Sequence, residues 1–257
     1  MSEAMAPVRT AVRTQNFHVA MATACLAIAL IGFAPTYWRG LATGTFRGGP
    51  LVHLHALVFF GWMIFMVVQT ALVAQGRVGH HRALGLAGIS LATLLVTSGM
   101  AVSIAGGVRA EDAGYGREAR AFMIVSWSAM FVFATLVWKA ISNVTRPDRH
   151  RRLMLAATIS MLGAPIARWF LVLFAPETLN AGSVAAPPPV MISIPPAMLG
   201  NMLFVAMLCH DRRTLGRFHP TTVKAAIVVA AVHLLSVPIS ATSTWDHLAR
   251  WVLLVGR

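Results

Sequence analysis

The side chains with the most chemical potential in this sequence are histidines, an arginine and an amide set inside long apolar runs. His55, Trp62 and Gln69 are spaced by seven, with Phe59 and Met66 on the intervening turns. In a helix they project from one face, drifting by about 20° per heptad. A polar stripe of that length through a membrane faces the bundle interior rather than lipid. It lines a pocket or conduction path with Trp62 near the midplane, or it forms a packing seam. In the seam, Gln69 bonds a neighbouring helix and His55 reaches the headgroups.

Arg168 is the one charged residue well inside an apolar run, in the sequence GAPIARW. At about 1.5 Å per residue it lies roughly 9 Å below the end of its segment. There it either snorkels to lipid phosphates or meets an anionic group. Pro165 removes a helical hydrogen bond one turn earlier. Pro195–Pro196 and Pro238 disturb later segments in the same half, where a polar cavity is expected. His233 lies near the middle of the last apolar segment, suited to a proton path, a metal or haem ligand, or a plain hydrogen bond. Haem between His55 and His233 is chemically attractive. Their depths, about 6 Å and about 15 Å, require a tilted ring or a kinked helix.

A second constellation is His81, His150 and His219, with His80 and His210 nearby. Three imidazoles at one level can hold zinc, copper or iron. Arginines such as Arg82, Arg151 and Arg152 surround them, and that positive field favours lipid phosphate over a cation. His18, His53 and His247 read as interfacial. Cys25 and Cys209 are the only cysteines and form no CxxC. There is no GxSxG, HExxH or glycine-rich phosphate loop. Membrane zinc hydrolases need a second histidine close by in the last helix, and HLLSVP offers none.

The elements that must position these residues are membrane helices. Hydrophobic residues make up 57% of the 257, and charged residues 11%, far below the roughly 25% of soluble domains. A bilayer core needs about 20 apolar residues per helix. Seven segments qualify: 17–36, 51–74, 83–106, 121–141, 153–174, 188–209 and 223–243. The expected fold is an all-α, polytopic transmembrane bundle of about seven helices, one integral membrane domain over residues 1–257. The stretch 245–257 is short and amphipathic, and reads as a surface tail. Arg9 and Arg13 before the first segment resemble a signal peptide, but no small-x-small cleavage site follows, so that segment reads as a retained helix.

The net charge of +13 does not indicate nucleic acid, because the basic residues occupy short gaps between apolar runs. Thirteen of the 21 lie at the N-terminus, in and beside the gaps 75–82, 142–152 and 210–222. The positive-inside rule then puts the N-terminus in the cytoplasm and the C-terminus outside, with anionic headgroups meeting the basic gaps.

RVGHHRALGLA (77–87) aligns with RPDRHRRLMLA (146–156) at an offset of 69, and the same step from His150 reaches His219 in GRFHP. Three helix hairpins and a closing helix follow. GFAPTYW, the run HLHALVFFGWMIFMVVQTALVAQGRVGHHRALG and RHRRLML resemble a family of bacterial polytopic membrane proteins of unknown function. The resemblance covers nearly the whole chain, implies a bacterial inner (plasma) membrane and supplies no chemistry. From the residues, the favoured reading is a membrane protein holding haem, a quinone or a transition metal through His55 and His233, with Arg168 meeting an acid group. Alternatives are a transporter for a small anion or lipid, and a non-catalytic accessory subunit with partners in a membrane complex. No catalytic residue is assigned, and enzyme activity is left open.

Overall fold

The computed structural model describes residues 5–176 and 186–257, with side chains from residue 16 onward. The helices are α1 (Met5–Gly32), α2 (Arg39–Ala42), α3 (Pro50–Ala74), α4 (Val78–Asp112) and α5 (Gly116–Ile141). They continue as α6 (Pro147–Ser160), α7 (Gly163–Phe174), α8 (Ile194–Leu215), α9 (Pro220–Ser240) and α10 (Ser243–Val255). No strand forms among the described residues. Six spans are long and apolar enough to cross a membrane, and a seventh arises if the bent pair 16–32 and 34–42 is one span. The helices outrun the apolar runs by several residues because polar residues such as Arg continue a helix into the headgroup region and water. Pro50, Pro147 and Pro220 open their helices, where a missing N–H costs nothing.

Two spans are broken. The first bends by 40° after Gly32, where Ala34–Trp38 form a π-helical turn around Pro35. The fifth breaks at Met161–Leu162 between α6 and α7. The sequence placed that disturbance at Pro165. The backbone yields ahead of the ring, and Pro165 then sits in the first turn of α7, where no N–H is required. Likewise Pro195 and Pro196 start α8 instead of interrupting it, after a 3₁₀ turn at Val190–Ser193. Pro238 does lie inside α9, near its end.

α1 packs on α3, α4 on α5, and α7 on α8, the three expected hairpins, and α9 closes against α5, α6 and α8. Contacts also join α3 to α4, α5 to α9, α8 to α9 and α7 to α1, so seven helices form a ring. α6 occupies the interior of that ring at the end carrying the basic turns. It touches α1, α5, α8 and α9, and Leu155, Ala156, Ala157, Thr158, Ile159 and Leu162 are buried. The 69-residue repeat therefore has opposite environments in its two copies. Leu86 of α4 is 74% exposed, and its counterpart Leu155 of α6 is 1% exposed. α10 is not a free surface tail: Ala249, Val252 and Leu253 pack with Met123 of α5, while Trp251, Leu254 and Val255 stay exposed.

Candidate functional site

Trp62, at the middle of the α3 stripe, is fully buried. Its indole N–H donates to Thr158 Oγ1 of α6 at 3.2 Å, and that hydroxyl donates to the Met154 carbonyl at 3.0 Å. Phe133 of α5 meets the indole edge-on, ring centroids 4.9 Å apart. Trp62 thus ties α3 to α5 and α6. His55 Nδ1 lies 3.0 Å from Ser98 Oγ of α4. Gly99 makes room for this contact, since a Cβ there would stand 3.1 Å from His55 Cε1 and 2.6 Å from Met130 Sδ. Gln69 is buried at the basic end beside His81, and its Oε1 accepts no hydrogen bond.

Arg168 stands where the two broken spans meet. At the crossing, a Cβ on Gly32 would lie 2.4 Å from Pro165 Cβ and 2.7 Å from its carbonyl, so the α1 and α7 backbones nearly touch. Trp169 Nε1 donates to the Ile31 carbonyl at 2.9 Å, an acceptor beside the bend. The Arg168 guanidinium lies 5.4 Å from the Phe33 ring centroid and reaches only the Ala164 carbonyl, at 3.4 Å. Among the described residues it has no carboxylate partner. Phe33 meets Phe59 edge-on at 5.6 Å, and Phe59 lies 6.5 Å from His55. Arg168 and His55 therefore sit at the two ends of one aromatic series.

His233 belongs elsewhere. Its Nδ1 lies 3.3 Å from Asn201 Nδ2 on α8. The amide donates, so the ring proton resides on Nε2. His55 and His233 each satisfy Nδ1 on a different neighbouring helix. Of the five intramembrane residues singled out in the sequence, His55 and Arg168 share a cluster, while Trp62, Gln69 and His233 have separate surroundings.

At the basic end, the His81 and His150 rings meet edge-to-face at 6.2 Å. His150 Nδ1 donates to the Ala140 carbonyl at 2.9 Å. His219 instead caps α9, its Nδ1 accepting from Thr221 N–H at 3.2 Å. Burial, followed by the charge of Arg152, holds its imidazole below the ordinary histidine value and hence neutral at pH 7. His210 stacks flat on Phe17 at 3.8 Å, and His80 is exposed. Among the described residues, no group of three or more His, Cys, Asp or Glu is disposed to hold a metal ion.

Two ionic networks were not visible in the sequence. At the basic end Arg152 of α6 donates to Asp211 Oδ1 of α8 at 2.5 and 3.1 Å, and Thr222 of α9 donates to Asp211 Oδ2 at 2.6 Å. All three are buried. At the opposite end Arg120 of α5 bridges Glu111 of α4 at 2.7 Å and Asp246 of α10 at 2.6 Å. Arg120's hydrogen bond holds the Asp246 carboxyl below the usual carboxylate range. Trp245 Nε1 adds a bond to the Arg120 carbonyl at 2.8 Å. The one available signal was that Asp148 and Asp211 are each the single acid of a basic turn.

Comparison with known protein families, with curated proteins and with solved structures finds no match. The chain is built as a polytopic membrane protein.

Proposed function

We propose that this chain is a membrane carrier for a small anion or an acid-bearing amphiphile, with Arg168 as the cation that meets the acid group. The supporting observation is a guanidinium with no carboxylate partner among the described residues, at the junction of two broken spans. A charged side chain costs at least about 2.5 kcal/mol at the centre of a bilayer and less toward its edge unless it is paired or reaches water, and no described carboxylate pairs with Arg168. Broken helices lining a site near mid-membrane are a recurring construction of carriers. Phe33, Phe59 and Trp169 supply an apolar wall for the body of such a solute. In this reading the basic turns face the cytoplasm of a bacterial plasma membrane, and Arg82, Arg149 and Arg151 meet anionic headgroups there.

The test is uptake into proteoliposomes of inorganic phosphate, acetate and decanoate. Flux of at least one is expected, reduced tenfold or more in Arg168→Ala and partly restored in Arg168→Lys. Flux of none of the three, or equal flux in wild type and Arg168→Ala, overturns the reading.

A second reading is supported by the His55 geometry. Ser98 at Nδ1 fixes the ring as an outer partner fixes a metal-ligating histidine, leaving Nε2 as the coordinating atom. Haem, a quinone or a transition metal held by His55, with Arg168 on an acid group, has this signature. Purified protein would then carry a visible absorption band or a stoichiometric metal that His55→Ala removes. Colourless, metal-free wild type returns the assignment to the carrier, and tolerance of both variants alongside co-purifying partners favours an accessory subunit.

A further inference from the structure

At the end opposite the basic turns, the start of α5, the end of α9, the start of α10 and the 3₁₀ turn at Val190 line a half-open cavity of ≈ 620 Å³. Its polar lining is Arg117, Arg120, Arg250 and Asp246, with the hydroxyls of Ser240, Thr242 and Ser243. The arginines are not equivalent. Arg120 is buried and saturated by Glu111 and Asp246; it fixes the wall. Arg250 has only a loose contact with Asp246, at 3.5 Å. Arg117 has no ion pair among the described residues. The free charge of the cavity is therefore positive, although one carboxylate lies within it.

The hydroxyls sort in the same way. Ser240 and Thr242 donate to carbonyls of their own helix at 2.7 Å. Thr242 also caps α10 by accepting from Trp245 N–H at 3.2 Å. Ser243, the first residue of α10, presents its hydroxyl at a helix start, where backbone N–H groups have no intrahelical acceptor. Arg117, exposed and without an ion pair among the described residues, and Arg250, held only loosely by Asp246, suit an oxyanion carrying more than one charge, and arginine pairs with phosphate in two-pronged geometry. The volume lies within the range of small-molecule sites and exceeds a bare phosphate, so the ligand has a body attached. The exposed Leu248, Trp251, Leu254 and Val255 place α10 at the lipid interface.

We infer that this cavity is a binding site for a phosphate ester, with Arg117 and Arg250 as its recognition groups and Arg120 as their support. The site is separate from the junction at Arg168 and does not depend on transport. A phospholipid headgroup and a soluble phosphate ester share this chemistry, and the α10 setting makes both accessible.

The full chain, purified in an uncharged maltoside detergent, is titrated with dihexanoyl phosphatidylglycerol, glycerol 3-phosphate and, at matched ionic strength, sodium chloride, following the thermal midpoint. A saturable rise is expected with a phosphate ester and none with chloride. A rise with the lipid alone assigns a headgroup, and equal rises assign the soluble ester. Arg117→Gln with Arg250→Gln weakens that binding at least tenfold while the unliganded midpoint stays within a few degrees. Should the double variant unfold, Ser243→Phe, which obstructs the cavity beside Arg117 and Arg250 and removes no ion-pair partner, gives the same loss. Absence of saturable binding to either ester in the wild type, or undiminished binding in the folded variants, overturns the site.

Discussion

Asp211 and Arg152 come from positions 59 residues apart, and both are about as buried as the leucines around them. Their geometry is full: two guanidinium bonds on one oxygen, the Thr222 hydroxyl on the other, and Arg152 Nη1 on the Asp148 carbonyl at 2.9 Å. Removing one partner of such a pair strands a buried charge, at about 3–5 kcal/mol, whereas an apolar replacement of both is often neutral. Asp211→Asn is therefore expected to lower the thermal midpoint sharply, and Arg152→Met with Asp211→Leu to recover most of it. A double variant as unstable as the single one would show that α6 depends on the charge itself. The sequence placed Arg152 among lipid-facing arginines because nothing local separates it from Arg151. Arg168 was legible for the opposite reason, since its apolar flanks alone reveal its depth. Pairings across the bundle leave no trace in spacing, which is why the buried network and the Arg120 bridge were missed.

Hydropathy located the six long apolar helices and the bent pair that makes a seventh, because about 20 apolar residues in a row have few alternatives to a bilayer. It could not locate the helix ends or the breaks. α4 extends to Asp112 and α8 to Leu215, well past their apolar cores. Pro165 and the pair Pro195–Pro196 turned out to be helix openers, and the bend in the first span follows Gly32. That glycine is required by contact. Any Cβ would strike Pro165, including its backbone carbonyl, so Gly32→Val must force the two spans apart. Overpacking of this kind costs about 1–3 kcal/mol, to be read as a fall in the thermal midpoint. Because the clash includes Pro165 backbone atoms, Pro165→Ala is not expected to rescue it. Full rescue would mean that only the proline ring is in the way.

For the whole molecule, the hairpin pairing and the all-helical class were readable, while the ring around α6 was not. The repeat suggested equivalent halves, yet α4 turns its leucines to lipid where α6 buries them. A sequence repeat reports shared descent of a segment; the neighbours it meets depend on closure of the entire ring. The His81, His150 and His219 spacing has the same character. It brings two rings together and sends the third to cap α9. The positive-inside rule predicts that the basic turns face the cytoplasm, and this is open to direct test in a Cys209→Ser background, where Cys25 is buried. Ala113→Cys in intact cells is expected to react with an impermeant maleimide, and Ser142→Cys only after permeabilisation. The reverse pattern would invert the orientation.

The crossing at Gly32 and Pro165 has a mechanical consequence. The Gly32 backbone and Pro165 make a close point contact between the bent first span and α7, with the Trp169 to Ile31 bond beside it. A contact of this kind resists translation more than small rotations. Such a point is a fulcrum. Small angular excursions about it would be magnified along α7, widening or narrowing the gap between the Arg168 guanidinium and Phe33 while the interior helix on the other side of the break stays still.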